Sequence, residues 1–201
     1  MGSSIRLAVD SDVAAITGIY RPIVESTAIS FEVDPPDEDD MRRRIGETLE
    51  RYPWLVCDAA GRVAGYAYAT RHKVRAAYQW SVDTSVYVHP EFRRYGIGRG
   101  LYASLFGILA AQGYFNAYAG IALPNPASVA LHESAGFQPL GVYQNVGYKL
   151  AAWHDVGWWQ LALRQREVAP GIPLDLQAIQ DRRDWPALLA RGMSMIRANV
   201  A

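Results

Sequence analysis

The chain has 201 residues, half of them apolar and a fifth charged, which is enough for one domain with a buried core. Its 20 Lys and Arg residues balance 20 Asp and Glu residues, so we expect no overall attraction to nucleic acid or to an anionic membrane. A single cysteine, Cys57, excludes an intramolecular disulfide framework and a cysteine-rich zinc site, and it favours the cytoplasm.

The start of the chain shows no targeting pattern. Met1 to Ser4 leads directly into Ile5-Arg6-Leu7, without the apolar stretch of a secretory leader. No run approaches about 18 uninterrupted apolar residues, so we expect no membrane span.

The first half of the chain predicts a strand, two helices and a hairpin. Residues 5–9 alternate as a strand, and capping residues at 10–12 precede a helical spacing that continues to Val24. Residues 37–49 predict a second helix with a charged outer face. Apolar runs at 54–57 and 63–69 flank a glycine-containing turn and predict an antiparallel pair.

The second half predicts a unit of strand, helix and strand. Residues 81–88 form the first strand, 98–112 an amphipathic helix and 114–121 the second strand. A short helix over 125–135 follows, and apolar segments at 140–148 and 156–163 complete the sheet. The expected class is therefore α/β, with a mixed sheet of about seven strands between two helical layers.

A change in composition after Arg164 divides the chain. We expect one domain over residues 1–164, followed by a linker and helical tail over 165–201. The tail carries apolar residues at helical spacing and is predicted to be interrupted at Pro186. It can cover the core, bridge two subunits or remain partly unfolded.

A glycine-rich turn, Arg93-Arg94-Tyr95-Gly96-Ile97-Gly98, joins the strand over 81–88 to the next helix. Amide groups at the start of a helix have no intrahelical acceptor, and the helix dipole favours an anion there. Glycines at 96 and 98 lack the Cβ atoms that would keep a diphosphate at a distance. The turn thus predicts a phosphate site, or alternatively a tight turn with solvated arginines. It is neither a Walker A loop nor a dinucleotide fingerprint.

Two motifs in order identify a family. The Arg-x-x-Gly-x-Gly turn is followed by Asn125-Pro126-Ala127-Ser128 and by the run from Leu131 to Phe137, and together they closely resemble the GNAT superfamily of acetyl-CoA-dependent N-acetyltransferases. The resemblance extends from about Ile5 to Leu163. Within that superfamily the chain looks like the phosphinothricin and methionine sulfoximine N-acetyltransferases, and the most specific match is the run Trp153-His154-Asp155-Val156-Gly157.

The resemblance implies where acetyl-CoA binds. Its pantetheine arm would lie along the backbone of Val86, Tyr87 and Val88, on a central strand that splays from its parallel neighbour. Asn125 would bind the end of that arm. The pyrophosphate would lie on the amides of the turn, formed by Arg94, Tyr95, Gly96, Ile97, Gly98 and Arg99. No metal is expected.

The resemblance also implies two catalytic residues. Attack on a thioester needs an unprotonated amine, so a base or a water relay is useful near neutral pH. Asp83 stands where these relatives usually have a catalytic Glu, and its shorter side chain suggests contact through water. His132 occupies the position of a group that protonates the departing thiolate or relays the amine proton.

The expected acceptor carries an α-amine, an α-carboxylate and a tetrahedral polar end. Lys73, Val74 and Arg75 match a substrate-binding loop, with Arg75 the preferred partner of the carboxylate. Asp83, Thr84 and Ser85 would form the opposite wall. The apolar side would be closed by Phe31 and Tyr78. His154 and Asp155 are interpreted as a structural pair that hydrogen-bond to each other.

Three functions follow in order of preference. The first is acetyl transfer to the α-amine of a small amino-acid analogue, in detoxification or resistance. The second is the same chemistry on a polyamine, an aminoglycoside or a protein N-terminus, and the third is a CoA-binding module without turnover. The expected partner is a small-molecule amine, with no nucleic acid and no membrane. Relatives are often dimeric, which favours a homodimer.

Overall fold

A computed structural model describes residues 2–197, and its centre is a seven-stranded sheet of order β1-β2-β3-β4-β5-β7-β6. Neighbouring strands are antiparallel except for the central pair β4 and β5. The strands are β1 (Ser3–Leu7), β2 (Trp54–Ala59), β3 (Arg62–Arg71), β4 (Ser81–Val88), β5 (Asn116–Leu123), β6 (Gln138–Lys149) and β7 (Ala152–Ala162).

Helices cover both faces of the sheet. The helices are α1 (Val13–Ser26), α2 (Glu38–Leu49), α3 (Ile97–Gln112), α4 (Pro126–Ser134), α5 (Leu176–Gln180) and α6 (Trp185–Ala190). Helices α1 and α2 contact each other and cover one face, while α3 crosses β2, β3 and β4 on the other. The expected mixed α/β architecture is therefore confirmed. None of the helices within residues 2–197 has the length and apolarity that crossing a bilayer requires.

Strand alternation separates the core into two clusters. In β3, Ala67 and Ala69 face α3, whereas Tyr66 and Tyr68 lie on the side of α1 and α2. Cys57 is fully buried in the α3 cluster, as expected for a core position. The face that a residue occupies thus decides which helical layer it meets.

Most predicted elements lie where the sequence patterns placed them. The strand over 81–88 and the hairpin of β2 and β3 are confirmed, and Ala60 and Gly61 form its two-residue turn with positive φ. The strand predicted at 114–121 is displaced and runs from Asn116 to Leu123. The last two strands are longer than predicted, because β6 and β7 pair as a long hairpin.

The central strands separate after a short parallel segment. Pairing joins Ser81, Val82 and Asp83 of β4 to Asn116, Ala117 and Tyr118 of β5, and ends there. Strand β4 continues to Val88 and β5 to Leu123 without pairing to each other. This splay, expected from the family resemblance, leaves an unpaired edge of β4 facing a cleft.

The C-terminal segment forms two short helices, α5 and α6, that pack on α3. Leu176 and Ile179 of α5 are buried in the α3 cluster, and Pro186 lies in the first turn of α6. The predicted interruption is confirmed, since α5 ends at Gln180 and α6 begins at Trp185. In the first turn of the second helix the missing N–H of Pro186 is not needed. Of the predicted helical tail over 176–200, residues 198–200 lie outside the described part of the chain.

Candidate active site

The splay between β4 and β5 contains a small cavity of about 50 Å³. Its walls come from both strands, from α4 and from the loop after α1. The lining residues are Ile29, Thr84, Ser85, Val86, Tyr87, Gly120, Ile121, Ala122, Asn125, Ser128 and His132. At the closed end the Thr84 hydroxyl donates to the Tyr118 carbonyl over 3.3 Å, just where backbone pairing stops. The cleft thus passes between the two faces of the sheet.

The turn before α3 presents free amides. Within residues 2–197 the amides of residues 94–99 make no hydrogen bond, and the first helical bond is Gly100 N–H to the Gly96 carbonyl. Arg94 and Gly96 have positive φ, which bends the backbone sharply. These amides lie at the start of a 16-residue helix, so the turn fits a diphosphate.

The positions of Gly96 and Gly98 lie against other parts of the protein. A Cβ at Gly98 would press on Leu131 of α4, and a Cβ at Gly96 would overlap the Met195 carbonyl of the tail. Both positions are crowded by protein, so the idea that they clear space for the ligand is wrong. The tail also contacts the turn directly, because the Arg197 amide donates to the Tyr95 carbonyl over 3.0 Å.

Residues along β4 divide between the cleft and the core. The Tyr87 ring packs edge-on against Tyr20 at 5.2 Å, so its side chain belongs to the α1 layer, while Val86 and Val88 pack on the α3 cluster. The backbone of all three residues lies on the unpaired edge of β4. This arrangement fits the extended hydrogen-bonding arm of acetyl-CoA, as the resemblance implies.

Asn125 caps helix α4. Its side-chain oxygen accepts from the Ser128 amide over 3.1 Å, and the residue lines the cleft. Among residues 2–197 the side-chain nitrogen of Asn125 makes no hydrogen bond, so it fits a ligand acceptor in the cleft.

His132 is held on both ring nitrogens. The Ser128 carbonyl lies 2.8 Å from Nδ1 and can only accept, so Nδ1 carries the hydrogen. Nε2 lies 2.8 Å from the Tyr102 hydroxyl, which donates to it. The residue is 5% exposed, and burial lowers the pKa of the imidazole. His132 therefore lines the cleft as a neutral ring with its nitrogens occupied.

Asp83 lies on the opposite face and is paired with a second histidine. Its carboxylate is 2.6 Å from Nδ1 of His72. Burial raises the pKa of the Asp83 carboxyl, while the hydrogen bond and charge of His72 act in the opposite direction. The His72 ring is stacked on Tyr118 at 4.3 Å with an interplanar angle of 12°. The carboxylate and the imidazole thus form a fixed pair where the cleft begins.

A larger cavity of about 320 Å³ adjoins this pair. It is lined by His72 and Lys73, by Tyr118 and Trp158 from the sheet, and by residues of β6: Leu140, Gly141, Val142 and Tyr143. The Trp158 ring lies against Gly120, which also lines the cleft, so the two cavities are neighbours. A cation over aromatic walls suits a small ligand with an apolar body and an anionic end.

The predicted acceptor residues are only partly brought together. Lys73 lines the large cavity with Nζ 5.9 Å from the Trp158 ring centre, whereas Val74 and Arg75 are exposed and do not line it. Tyr78 contacts His72 edge-on at 6.0 Å. Arg71 bonds the carbonyls of Lys73 and Val74, which shapes the loop.

Three residues predicted to contact the acceptor, Phe31, Thr84 and Ser85, do not line the larger cavity. The Phe31 ring lies over Gly147 and 6.3 Å from His154, on the β6–β7 hairpin and away from Tyr78's contact. Thr84 is buried and Ser85 half-buried, and both line the small cleft cavity instead of the larger one. Phe31 is nevertheless anchored, because buried Lys149 bonds the carbonyls of Val24 and Ser30 at 2.6 and 2.8 Å.

The expected bond between His154 and Asp155 is absent. His154 Nε2 lies 2.9 Å from the Lys149 carbonyl, and Asp155 accepts from the Asn145 amide over 2.7 Å. Neighbouring residues of a strand point to opposite faces, so these two side chains cannot meet. Both instead stabilise the β6–β7 hairpin. Among residues 2–197 no group of three or more His, Cys, Asp or Glu side chains could hold a metal ion.

Sequence reasoning missed His72, and the hairpin register contains the signal for it. Thr70 is opposite Asp83 across β3 and β4, and His72 is two residues further along the same face. Diagonal neighbours in a sheet are within reach of long side chains. Aligning β3 with β4 in this register therefore places His72 beside Asp83.

Known proteins match most of the chain. The profile of the acetyltransferase (GNAT) domain family matches residues 5–158. Phosphinothricin N-acetyltransferase of Streptomyces viridochromogenes is 40% identical over 78% of this chain and 85% of its own length. The L-methionine sulfoximine/L-methionine sulfone acetyltransferase of Salmonella typhimurium is 35% identical over 80% of this chain and 94% of its own.

A solved structure agrees with these relatives. The crystal structure of a phosphinothricin acetyltransferase from Sinorhizobium meliloti in complex with acetyl-CoA is 36% identical, covering 85% of this chain and 94% of that one, with a TM-score of 0.80. The fold, the unpaired edge of β4 and the free amides before α3 fit the same cosubstrate. The chain therefore belongs to the GNAT acetyltransferase family, as an acetyl-CoA-dependent N-acetyltransferase.

Proposed function

We propose that this enzyme acetylates the α-amine of a small amino-acid-like acceptor of the phosphinothricin, methionine sulfoximine or methionine sulfone type, in detoxification or resistance. Relatives named for these acceptors are 35–40% identical to the chain. The observation that carries the proposal is the 320 Å³ cavity beside Asp83, with one cation and aromatic walls.

The cavity matches the chemistry of such an acceptor. A volume of about 300 Å³ is at the small end for ligand pockets and suits an amino acid better than an aminoglycoside. Lys73 supplies positive charge for a carboxylate or a tetrahedral anionic end, and Arg75 lies in the same loop at the surface. A polyamine, which carries only cations, would meet repulsion there.

The cosubstrate supplies an activated acetyl thioester when bound. The β4 edge at Val86, Tyr87 and Val88 would hold its extended arm by backbone bonds, and the amides of residues 94–99 would hold the phosphates. Asn125 would bind the arm near the start of α4, and exposed Arg94 and Arg99 add charge. These binding roles are part of the proposal.

Asp83 and His132 would act from opposite faces of the sheet. Asp83, the carboxylate at the closed end of the cleft, serves the removal of the amine proton. His132 would line the sulfur side of the cleft as a neutral ring, because its Nδ1 hydrogen is donated to the Ser128 carbonyl and its Nε2 accepts from the Tyr102 hydroxyl. Backbone amides near Val88 would stabilise the oxyanion.

The test is release of CoA thiol with phosphinothricin, methionine sulfoximine, methionine sulfone, spermidine and a peptide amine. Burial raises the pKa of Cys57 to about 12, so a thiol reagent reads released CoA without a background from the protein. Turnover with the three amino-acid analogues is expected. Turnover confined to spermidine or the peptide would overturn the proposed acceptor.

Two cationic variants sharpen the acceptor assignment. Lys73→Ala and Arg75→Ala should each reduce kcat/KM for carboxylate-bearing acceptors and leave acetyl-CoA affinity unchanged. The cavity geometry favours the larger loss for Lys73→Ala. Unchanged kinetics in Arg75→Ala would remove Arg75 from the site.

We also propose a cytoplasmic homodimer joined through β6. Within residues 2–197 this 12-residue strand pairs only with β7, and it exposes Leu140, Val142, Val146 and Tyr148. A long apolar edge strand is a ready surface for pairing. A second copy would also cover the large cavity along β6.

Light scattering should give twice the chain mass for the wild type, and Val146→Glu should give monomers. A monomeric wild type would contradict the proposed dimer.

A further inference from the structure

We propose that His72 is the catalytic base for the acceptor amine, and that Asp83 is the positioning residue that orients it. This inference deepens the proposed function, because it assigns the proton-removing atom of that same site. It stands on the contacts of His72, which the family resemblance did not single out.

The geometry gives the two nitrogens of His72 different tasks. Asp83 accepts from Nδ1 over 2.6 Å, so the neutral ring carries its hydrogen on Nδ1 and its lone pair on Nε2. Within the described part of the chain, Nε2 makes no hydrogen bond. A carboxylate that fixes the tautomer and stabilises the charged ring is the arrangement by which a histidine becomes an effective base.

The surroundings hold the ring in one orientation. His72 is stacked on Tyr118 at 4.3 Å and meets Trp158 edge-on at 6.3 Å and Tyr78 edge-on at 6.0 Å. Its side chain is 12% exposed, and the residue lines the acceptor cavity. Such packing fixes a reacting group without the entropy cost of ordering it in each cycle.

The length of Asp83 makes the pairing functional. An aspartate is one methylene shorter than the glutamate that the resemblance implies, and here one carboxylate oxygen is bonded to Nδ1 of His72. Extending the carboxylate with an imidazole restores the reach that the shorter side chain loses. Histidine is also the side chain that titrates near neutral pH, which suits removal of a proton from an ammonium group.

The proton balance of the step is complete. Nε2 of His72 takes one proton from the acceptor ammonium and passes it to solvent. The freed amine attacks the thioester carbonyl, the C–N bond forms and the C–S bond breaks. The second amine proton reaches the sulfur, so the products are the amide, CoA thiol and one proton.

Within the described part of the chain, five charged or titratable residues face His72. These are Asp83 from β4, Lys73 from its own loop, Tyr118 from β5, Tyr143 from β6 and Tyr78 from the turn over residues 76–78. As the base and its positioning residue, His72 and Asp83 should each affect the acidic limb of the pH profile of kcat/KM when they are replaced.

The experiment compares His72→Gln, His72→Phe and His72→Ala with the wild type, using the amine that the wild type turns over best. Gln keeps a partner for Asp83 and Phe keeps the stack on Tyr118, but neither is a base. Each of these two variants should lower kcat/KM by about 100-fold or more and keep the affinity for acetyl-CoA. Each should also abolish the acidic limb of the pH profile of kcat/KM. Added imidazole should restore turnover in His72→Ala in a saturable way. His89→Gln, outside both cavities, is the matched control.

Each outcome decides the matter. Activity within about threefold of wild type in His72→Gln and His72→Phe, with the acidic limb intact, would make His72 structural. Equal loss without imidazole rescue and with a lowered Tm would do the same. Wild-type turnover of polyamines alone would overturn the proposed acceptor while the His72 comparison proceeds on that amine. A wild type that turns over no amine would overturn both.

Discussion

The two histidines that flank the cleft are held in opposite ways. On the α3 face, His132 has both ring nitrogens bonded, to the Ser128 carbonyl and the Tyr102 hydroxyl, and it is almost fully buried. On the other face, His72 is bonded through one nitrogen to Asp83 and lines an open cavity. The imidazole is thus enclosed by protein on one face, whereas on the other it lines a cavity.

This contrast follows from what covers each face. The α3 face is closed by α4 and by the tail, while the face of α1 and α2 is left open between Lys73 and β6. A buried imidazole without a charged partner stays neutral, whereas an imidazole beside a carboxylate is stabilised when it gains a proton. Packing therefore decides which of the two histidines has a ring nitrogen facing a cavity.

The largest loss of activity should come from replacing Asp83, on the face of the sheet that carries the large cavity. Asp83→Asn keeps the shape of the side chain but removes its charge, so it should lower kcat/KM by about 10²- to 10⁴-fold. Steady-state kinetics with saturating acetyl-CoA measure the loss. Asp58→Asn, at the β2–β3 turn, is the control and should keep full activity. A loss smaller than about threefold in Asp83→Asn would contradict a role for this carboxylate.

The tail offers a test of the sealed face. A Cβ at Gly192 would overlap the backbone of Gly100 in α3, and backbone cannot yield as a side chain does. Gly192→Ala should lower the free energy of unfolding by about 1–3 kcal/mol or displace the tail. Because the tail contacts Tyr95 and Gly96, acetyl-CoA affinity should fall as well.

Gly171→Ala is the matched control for the tail, since open space surrounds that position. Thermal unfolding and calorimetry with acetyl-CoA should show no comparable change in this variant. If Gly192→Ala lost stability but bound acetyl-CoA normally, the tail would brace α3 without shaping the phosphate turn.

Removing the Tyr102 hydroxyl should cost stability more than activity. Tyr102→Phe leaves Nε2 of the buried His132 without a partner, which typically costs about 1–3 kcal/mol. Denaturant unfolding measures this loss. A fall in kcat larger than about 100-fold with stability unchanged would instead place Tyr102 in the chemical step.

The smallest effect concerns pH. Burial lowers the pKa of His132, so below about pH 6.5 the unfolded chain takes up a proton that the folded chain does not. The free energy of unfolding should therefore decrease as the pH falls through this range. His132→Gln should flatten that part of the curve relative to wild type, and an unaltered slope would show that His132 is charged in the folded protein.

Most of the fold could be predicted from local sequence patterns, and so could the free amides of the turn before α3. Strand alternation, the capped helices and the glycine-rich turn before α3 are local patterns, and the structure reproduces them with shifts of a few residues. The free amides of residues 94–99 need only a helix start, so no distant contact was required to predict them.

Tertiary structure alone decided the partners of those residues. Gly96 and Gly98 are crowded by Met195 and Leu131, which are distant in sequence, and His72 meets Asp83 only because the hairpin register brings them together. Side-chain pairing depends on register and on which helix covers each face, and a single sequence records neither.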